Sequence, residues 1–129
     1  MLVVDASCLA EVALAGPDAE PVRGRLAAEP EQAAPHLVDA EVLGVVRRAH
    51  LRGEIDLTAA AQAIDDLGAW PGARVDHRPL LARAWELRHS LTAADALYVA
   101  LAEALEAPLL TLDARLARAG GPRCAVEVP

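Results

Sequence analysis

The chain has no lysine, no phenylalanine and only two cysteines among its 129 residues. Each shortage excludes something. All 12 basic residues are arginine, against 19 acids, for a net charge of −7, which argues against general electrostatic adhesion to a polyanion. Without lysine, a phospho-acceptor receiver domain lacks the basic partner it sets beside its strand-end acids. Cys8 and Cys124 are too few for a disulfide scaffold and have no metal-ligand spacing, so both read as reduced core residues. Aromatics stop at Trp70, Trp85 and Tyr98, which leaves no stacking platform for single strands. The core must come from Leu, Val and 30 alanines, which favours closely packed helices. No run reaches the roughly 18 apolar residues of a membrane span. The opening MLVVDAS lacks the basic n-region of a signal peptide, so no membrane contact and a cytoplasmic location are expected. The length suits one domain, residues 1–129.

What is present is alternation. MLVVD is a short apolar run ending in an acid, as a buried strand does. SCLAEVALAG (7–16) reads as a helix stopped at Gly16-Pro17 with Ser7 as its cap, and 18–30 as a second, exposed helix. AAP (33–35) reads as a connector. HLVDAEVLGVVRRAHLRG (36–53) is a strongly periodic helix closed by Gly53. Thr58 is placed to cap TAAAQAIDDLGAW (58–70), Pro71-Gly72 is a turn, and ARVD (73–76) a strand. HRPLLARAWELRHS (77–90) is helical, with Pro79 in its first turn. LTAADALYVALAEAL (91–105) is an apolar helix, ended by Ala107-Pro108. LLTL (109–112) is a second clear buried strand, ARLARAGG (114–121) a short helix with a glycine C-cap, and CAVEV (124–128) a last strand. Short apolar strands alternating with helices imply a parallel sheet covered on both faces, an α/β/α sandwich.

Ligand sites in such sheets lie beyond the carboxyl ends of the strands. Asp5 stands there after LVV, and Asp113 after LLTL. Asp95, in the first turn of an apolar helix, can point into the same crevice. The helix from 36 to 52 offers two more acids, Asp39 and Glu41, which flank its valine stripe on opposite sides. Periodicity does not choose between them. Each acid also has a plainer account: Thr92 and Asp95 fit a capping box, Asp113 can cap the helix after it, and Glu41 can sit on a solvated face. Converging carboxylates would raise one another's pKa, and a hard divalent cation would relieve that. Oxygen ligands and the lack of a His or Cys pairing suit Mg²⁺ rather than zinc.

In this order the motifs resemble those of PIN-domain ribonucleases, and within them the VapC-type toxins of bacterial toxin–antitoxin pairs. The matching stretches are VVDASCLAE (3–11), LVDAEVLGVVRR (37–48), HRPLLARAWELR (77–88), LTAADALYVALAE (91–103) and LLTLDARLA (109–117). The resemblance implies a PIN-like fold with Asp5, Glu41, Asp95 and Asp113 as catalytic, metal-holding acids, and it prefers Glu41 over Asp39. It implies that Ser7 helps to order a water at the metal. It further implies an endoribonuclease dependent on Mg²⁺ or Mn²⁺ that acts on tRNA or rRNA and leaves 5′-phosphate and 3′-hydroxyl ends. A cognate VapB-type antitoxin and a homodimer complete the expectation.

Positive charge gathers at Arg47, Arg48, His50 and Arg52 on one helix, and at Arg74, His77, Arg78, Arg83, Arg88 and His89 around another. Arginine forks suit phosphate, and Arg48, on Glu41's side of its helix, is the first candidate for binding RNA. With so few aromatics, folded RNA recognised by shape fits better than a single strand, and the two tryptophans read as core or dimer packing. Two rivals stay within the resemblance: a catalytically idle PIN-like binding module, and a PIN nuclease of RNA maturation. A complete set of acids argues against the first, and the compact length against the second.

Overall fold

All three residues of β1 (Leu2–Val4) are fully buried, because this strand has a parallel neighbour on each side and helices above and below. The computed structural model describes residues 1–129. The other strands are β2 (Gln32–Pro35), β3 (Ala73–Val75), β4 (Leu109–Leu110) and β5 (Val126–Glu127). They form one sheet in the order β3-β2-β1-β4-β5, and every pairing is parallel. The chain leaves β1 toward β2 on one side and returns to β4 on the other. The strand order therefore reverses between β1 and β4, and an open α/β sheet places its crevice at that point.

Helices α1 (Ala6–Ala13), α2 (Ala19–Ala27), α3 (Leu37–Leu51) and α4 (Leu57–Ala69) carry the chain from β1 to β3 and pack on one another. A 3₁₀ turn (Arg78–Leu80), α5 (Leu81–Glu86) and α6 (Ala93–Ala104) carry it back, and α6 lies along β1, β2 and β4. The short α7 (Ala114–Arg118) leads to β5. Right-handed crossovers in opposite directions put these two groups on opposite faces of the sheet. The expected α/β/α sandwich is what forms. Its core is small and aliphatic, with Tyr98 the largest fully buried side chain. No helix is long and apolar enough to cross a membrane.

Several local expectations are corrected. The stretch read as a connector, AAP, lies inside β2. Alanine has little preference for strands, but Ala33 and Ala34 are buried between β1 and β3, and pairing on both sides overrides propensity. Asp56, not Thr58, caps α4 by accepting from the Ala59 backbone N–H at 2.8 Å. Ser7 lies inside α1 and is not its cap. The helix after Asp113 ends without a left-handed glycine: Ala119 leaves it extended, and the positive φ falls at Gly121, whose carbonyl accepts from Arg83 at 2.9 Å. Gly53 does close α3 as expected. At φ 74° it lets the Glu54 N–H reach the Ala49 carbonyl at 2.9 Å. HRPLLARAWELRHS is helical only through Glu86, with Pro79 in the opening 3₁₀ turn.

Candidate active site

Where β1 ends, Asp5 adopts an extended conformation at the N-cap of α1, yet its side chain does not cap the helix. It turns instead toward the neighbouring strand end. Two hydroxyls donate to one of its oxygens, Oδ2: Ser7 Oγ at 2.7 Å and Thr111 Oγ1 at 2.7 Å. Both hydroxyls also accept from the backbone. Ser7 Oγ takes the Leu112 N–H at 3.1 Å, and Thr111 Oγ1 takes the Asp113 N–H at 3.1 Å. The crossing bonds tie the two strand ends together and orient a buried carboxylate. Ser7 spends its only proton on Asp5, so it orients that carboxylate and can meet a water only as an acceptor.

Glu41 comes from the second turn of α3, and Tyr98 Oη donates to its Oε1 at 2.9 Å. No other hydrogen bond reaches Glu41, so Oε2 has no partner within the protein. Asp39, two residues earlier, goes elsewhere: Arg74 Nη2 binds its Oδ1 at 2.9 Å. The alternative that periodicity left open is thus decided by an arginine on β3.

Asp95 lies in the first turn of α6. Thr92 caps that helix, accepting from the Asp95 N–H at 3.2 Å, but the Asp95 carboxylate does not reach back to the cap's own backbone. Half of the capping box forms, and the carboxylate is left for the crevice. Asp113 serves three purposes. It caps α7 by accepting from the Arg115 N–H at 2.9 Å, pairs with the Arg115 guanidinium at 3.3 Å, and still borders the crevice.

These residues meet. One open cavity of about 410 Å³ is lined by Asp5, Ser7, Glu41, Arg48, Asp95 and Asp113, together with small and apolar residues of α1 and α3. Burial raises the pKa of Glu41, as do the charges of Asp5 and Asp95, while the Tyr98 hydroxyl lowers it in part. Burial likewise raises Asp95, helped by Asp5 and Asp113 and opposed by Thr92 and Arg115. Arg115, through its side chain and its backbone N–H, lowers Asp113. Burial, with the charges of Asp5 and Glu11, pushes the Cys8 thiol up to about 12, so it behaves as a core residue. Cys124 is half-buried and also free.

The two arginine clusters differ. Arg74, Arg78 and Arg83 are ion-paired with Asp39, Asp76 and Glu103, and Arg88 stacks 4.7 Å from the Trp85 ring. His77 accepts the Leu37 N–H. Arg47, Arg48 and Arg52 have no ion pair, and Arg48 alone of them borders the cavity. Trp70 packs on the core, whereas Trp85 is 67% exposed and does not line the acidic cavity. Three neighbours of the site went unnoticed in the sequence: Thr111, Tyr98 and Arg115. Signals existed for each. Thr111 is the one hydroxyl in LLTL, Tyr98 is three residues from Asp95 on the same helix face, and Arg115 is two residues past Asp113.

The donor set is all oxygen and strongly negative, and three of its four acids lack a cationic partner. That suits a hard divalent cation. No three acidic, histidine or cysteine side chains close on one point tightly enough to hold a metal alone. Mg²⁺ does not ask for such a cage: it keeps several waters and binds through few carboxylates together with phosphate. The residues fit a water-rich Mg²⁺ or Mn²⁺ site and not a closed one.

Known proteins similar to this chain point to one family. The PIN domain model matches residues 2–122. Ribonuclease VapC1 of Mycobacterium tuberculosis is 47% identical over 129 residues, covering 98% of this chain and 96% of that protein. Among solved structures, PAE2754 of Pyrobaculum aerophilum superposes with a TM-score of 0.70 at 24% identity, over 97% of this chain and 81% of that one. VapBC2 of Rickettsia felis, bound to a DNA fragment from its promoter, superposes with a TM-score of 0.69 at 17% identity, over 99% and 98%. The two structures speak for the fold alone. The match to the family over nearly the whole chain, and to VapC1 at this identity, means that the protein belongs to the PIN-domain family, in the branch of the VapC ribonucleases.

Proposed function

We propose that this chain is an Mg²⁺- or Mn²⁺-dependent endoribonuclease that hydrolyses phosphodiester bonds in structured RNA, tRNA or rRNA, as the toxin of a VapBC-type pair in the cytoplasm. The observation that carries the reading is the single cavity where Asp5, Glu41, Asp95 and Asp113 meet beyond the ends of β1 and β4. The ribonuclease name of a relative at 47% identity supports the substrate class.

Asp5, Glu41, Asp95 and Asp113 would hold the cation. When bound, it supplies positive charge for the scissile phosphate and acidity for the attacking water. The protein's share is placement. Ser7 and Thr111 fix the rotation of Asp5 through its Oδ2. That leaves Oδ1 free of protein hydrogen bonds. Arg48 is exposed and lies seven residues from Glu41, roughly 10 Å along the helix axis. A guanidinium there suits a phosphate flanking the one being cut. No aromatic side chain lines the cavity, which favours shape recognition over base stacking.

A VapB-type antitoxin and a second copy of the chain are the proposed partners. Two apolar grooves offer surface for them. One runs between α1, α2 and α4 past Leu9, Val12 and Trp70, and one between α5 and α6 past Leu81, Trp85 and Leu97.

The test is cleavage of purified tRNA and rRNA by partner-free protein, with Mg²⁺ or Mn²⁺, with EDTA, and with Asp95→Asn alongside. Discrete cuts that vanish with EDTA and in the variant are expected. Cuts that survive in Asp95→Asn would mean that the site is misassigned. No cuts from folded, metal-loaded protein would favour a binding module.

A further inference from the structure

Tyr98 is the only tyrosine in the chain, the largest fully buried side chain, and the only group that bonds to Glu41. A tyrosine buried to 0% exposure must find a partner for its hydroxyl. Many partners would satisfy it, yet the one it has is an oxygen of the site. The bond crosses between elements, from α6 to α3. Tyr98 also stands three residues after Asp95, one turn along the same face. One helix therefore contributes an acid to the cavity and, a turn later, the donor that holds a second acid coming from another helix.

We infer that Tyr98 is a positioning residue: its hydroxyl holds Oε1 of Glu41, so that Glu41 offers a cation one oxygen, Oε2, in one orientation. Glutamate has three rotatable bonds, and a carboxylate half-exposed at a cavity wall would otherwise sample several rotamers or turn both oxygens to the ion. Pinning one oxygen removes both options. Asp5 is treated in the same way, with Ser7 and Thr111 on Oδ2. Two acids from different elements are thus each held by hydroxyls on one oxygen, and in each the second oxygen has no protein partner. Carboxylates that bind metals are commonly held by such outer hydrogen bonds, and losing one weakens metal binding by about 10–100-fold.

This inference rests on the metal-dependent reading above, and the experiment separates the two. Mn²⁺ binding to RNA-free protein is measured by calorimetry for the wild type, Tyr98→Phe, Glu41→Ala and the double variant. Tyr98→Phe keeps the ring and its packing and removes only the hydroxyl. Binding about ten-fold weaker is expected in Tyr98→Phe. In the Glu41→Ala background, the same change should have no further effect, since Tyr98 acts through Glu41. RNA cleavage by Tyr98→Phe should fall at limiting Mn²⁺ and recover at saturating Mn²⁺. Unchanged affinity in Tyr98→Phe, with normal binding by the wild type, overturns the inference and leaves the metal reading standing. Fully additive losses in the double variant also overturn it, because they assign Tyr98 a packing role. A wild type that binds no Mn²⁺ overturns both.

Discussion

Asp5 and Asp113 follow adjacent parallel strands and border one cavity, yet their surroundings are opposite. Asp5 is buried and receives two hydroxyls on one oxygen, while Asp113 is half-buried, caps a short helix and pairs with an arginine that is itself 87% exposed. Equivalent topological positions therefore do not confer equivalent roles. The end of β1 is a rigid floor, because every hydroxyl there is used twice. The end of β4 is a rim, because its ion pair is exposed to water and worth little. Thr111 joins the two: it donates to Asp5 and accepts from the Asp113 backbone.

The largest effect should come from the floor. Asp5→Asn keeps a carbonyl oxygen for the two hydroxyls, so the fold should survive, and it removes a charge from the metal site. Cleavage should fall on the order of 10³-fold, with an unchanged or slightly raised melting temperature. If rates within ten-fold of wild type were seen, the claim that the floor holds the chemistry would fail.

Thr111→Val comes next, since it cuts the link between floor and rim. It leaves the Asp113 N–H and one Asp5 contact unpaired in a buried place. Urea denaturation should show a loss of about 1–3 kcal/mol, and cleavage should drop by about ten-fold. A stable variant with full activity would show that the two strand ends do not depend on each other.

Asp113→Asn tests the rim. Asparagine caps helices about as well as aspartate, so stability should change by a few tenths of a kcal/mol at most. Cleavage should fall about ten-fold, less than for Asp5→Asn. Equal losses at the two positions would erase the distinction between floor and rim.

The smallest effect is one of pH. Glu41 and Asp95 have pKa values raised above those of the unfolded chain, so in that range the folded protein binds more protons than the unfolded. Stability of the metal-free protein should then fall as pH rises from the ordinary carboxylate range through these raised values. Asp113 is lowered, with the opposite sign: its contribution is present above the ordinary value and is lost as pH falls through its folded value. Mg²⁺ should raise the melting temperature more at neutral than at mildly acidic pH, by a few degrees, because both raised groups are half-exposed. A pH-independent Mg²⁺ shift would count against carboxylates as its ligands.

Much of this was legible in the chain. Apolar runs ending in acids marked β1 and β4, and the odd carboxylate in an apolar helix marked Asp95. Residues 33–35 were not legible as a strand, because alanine and proline pair there only when two neighbours impose it. Glu41 could not be separated from Asp39 by periodicity, since the separation depends on Arg74, 35 residues away from Asp39 in sequence. Tyr98 and Thr111 read as core. Each is core in its ring or methyl, and its role lies in where a single hydroxyl points.

The sequence alone determined most of the strand and helix alternation, the parallel sheet, and the places of Asp5, Asp95 and Asp113 at strand ends or in a helix's first turn, because these follow from local pattern and from where strands end. Tertiary structure decided which acids meet and which oxygens stay free. Those choices depend on hydrogen bonds between residues 57 and 106 positions apart, and only packing brings such partners within 3 Å.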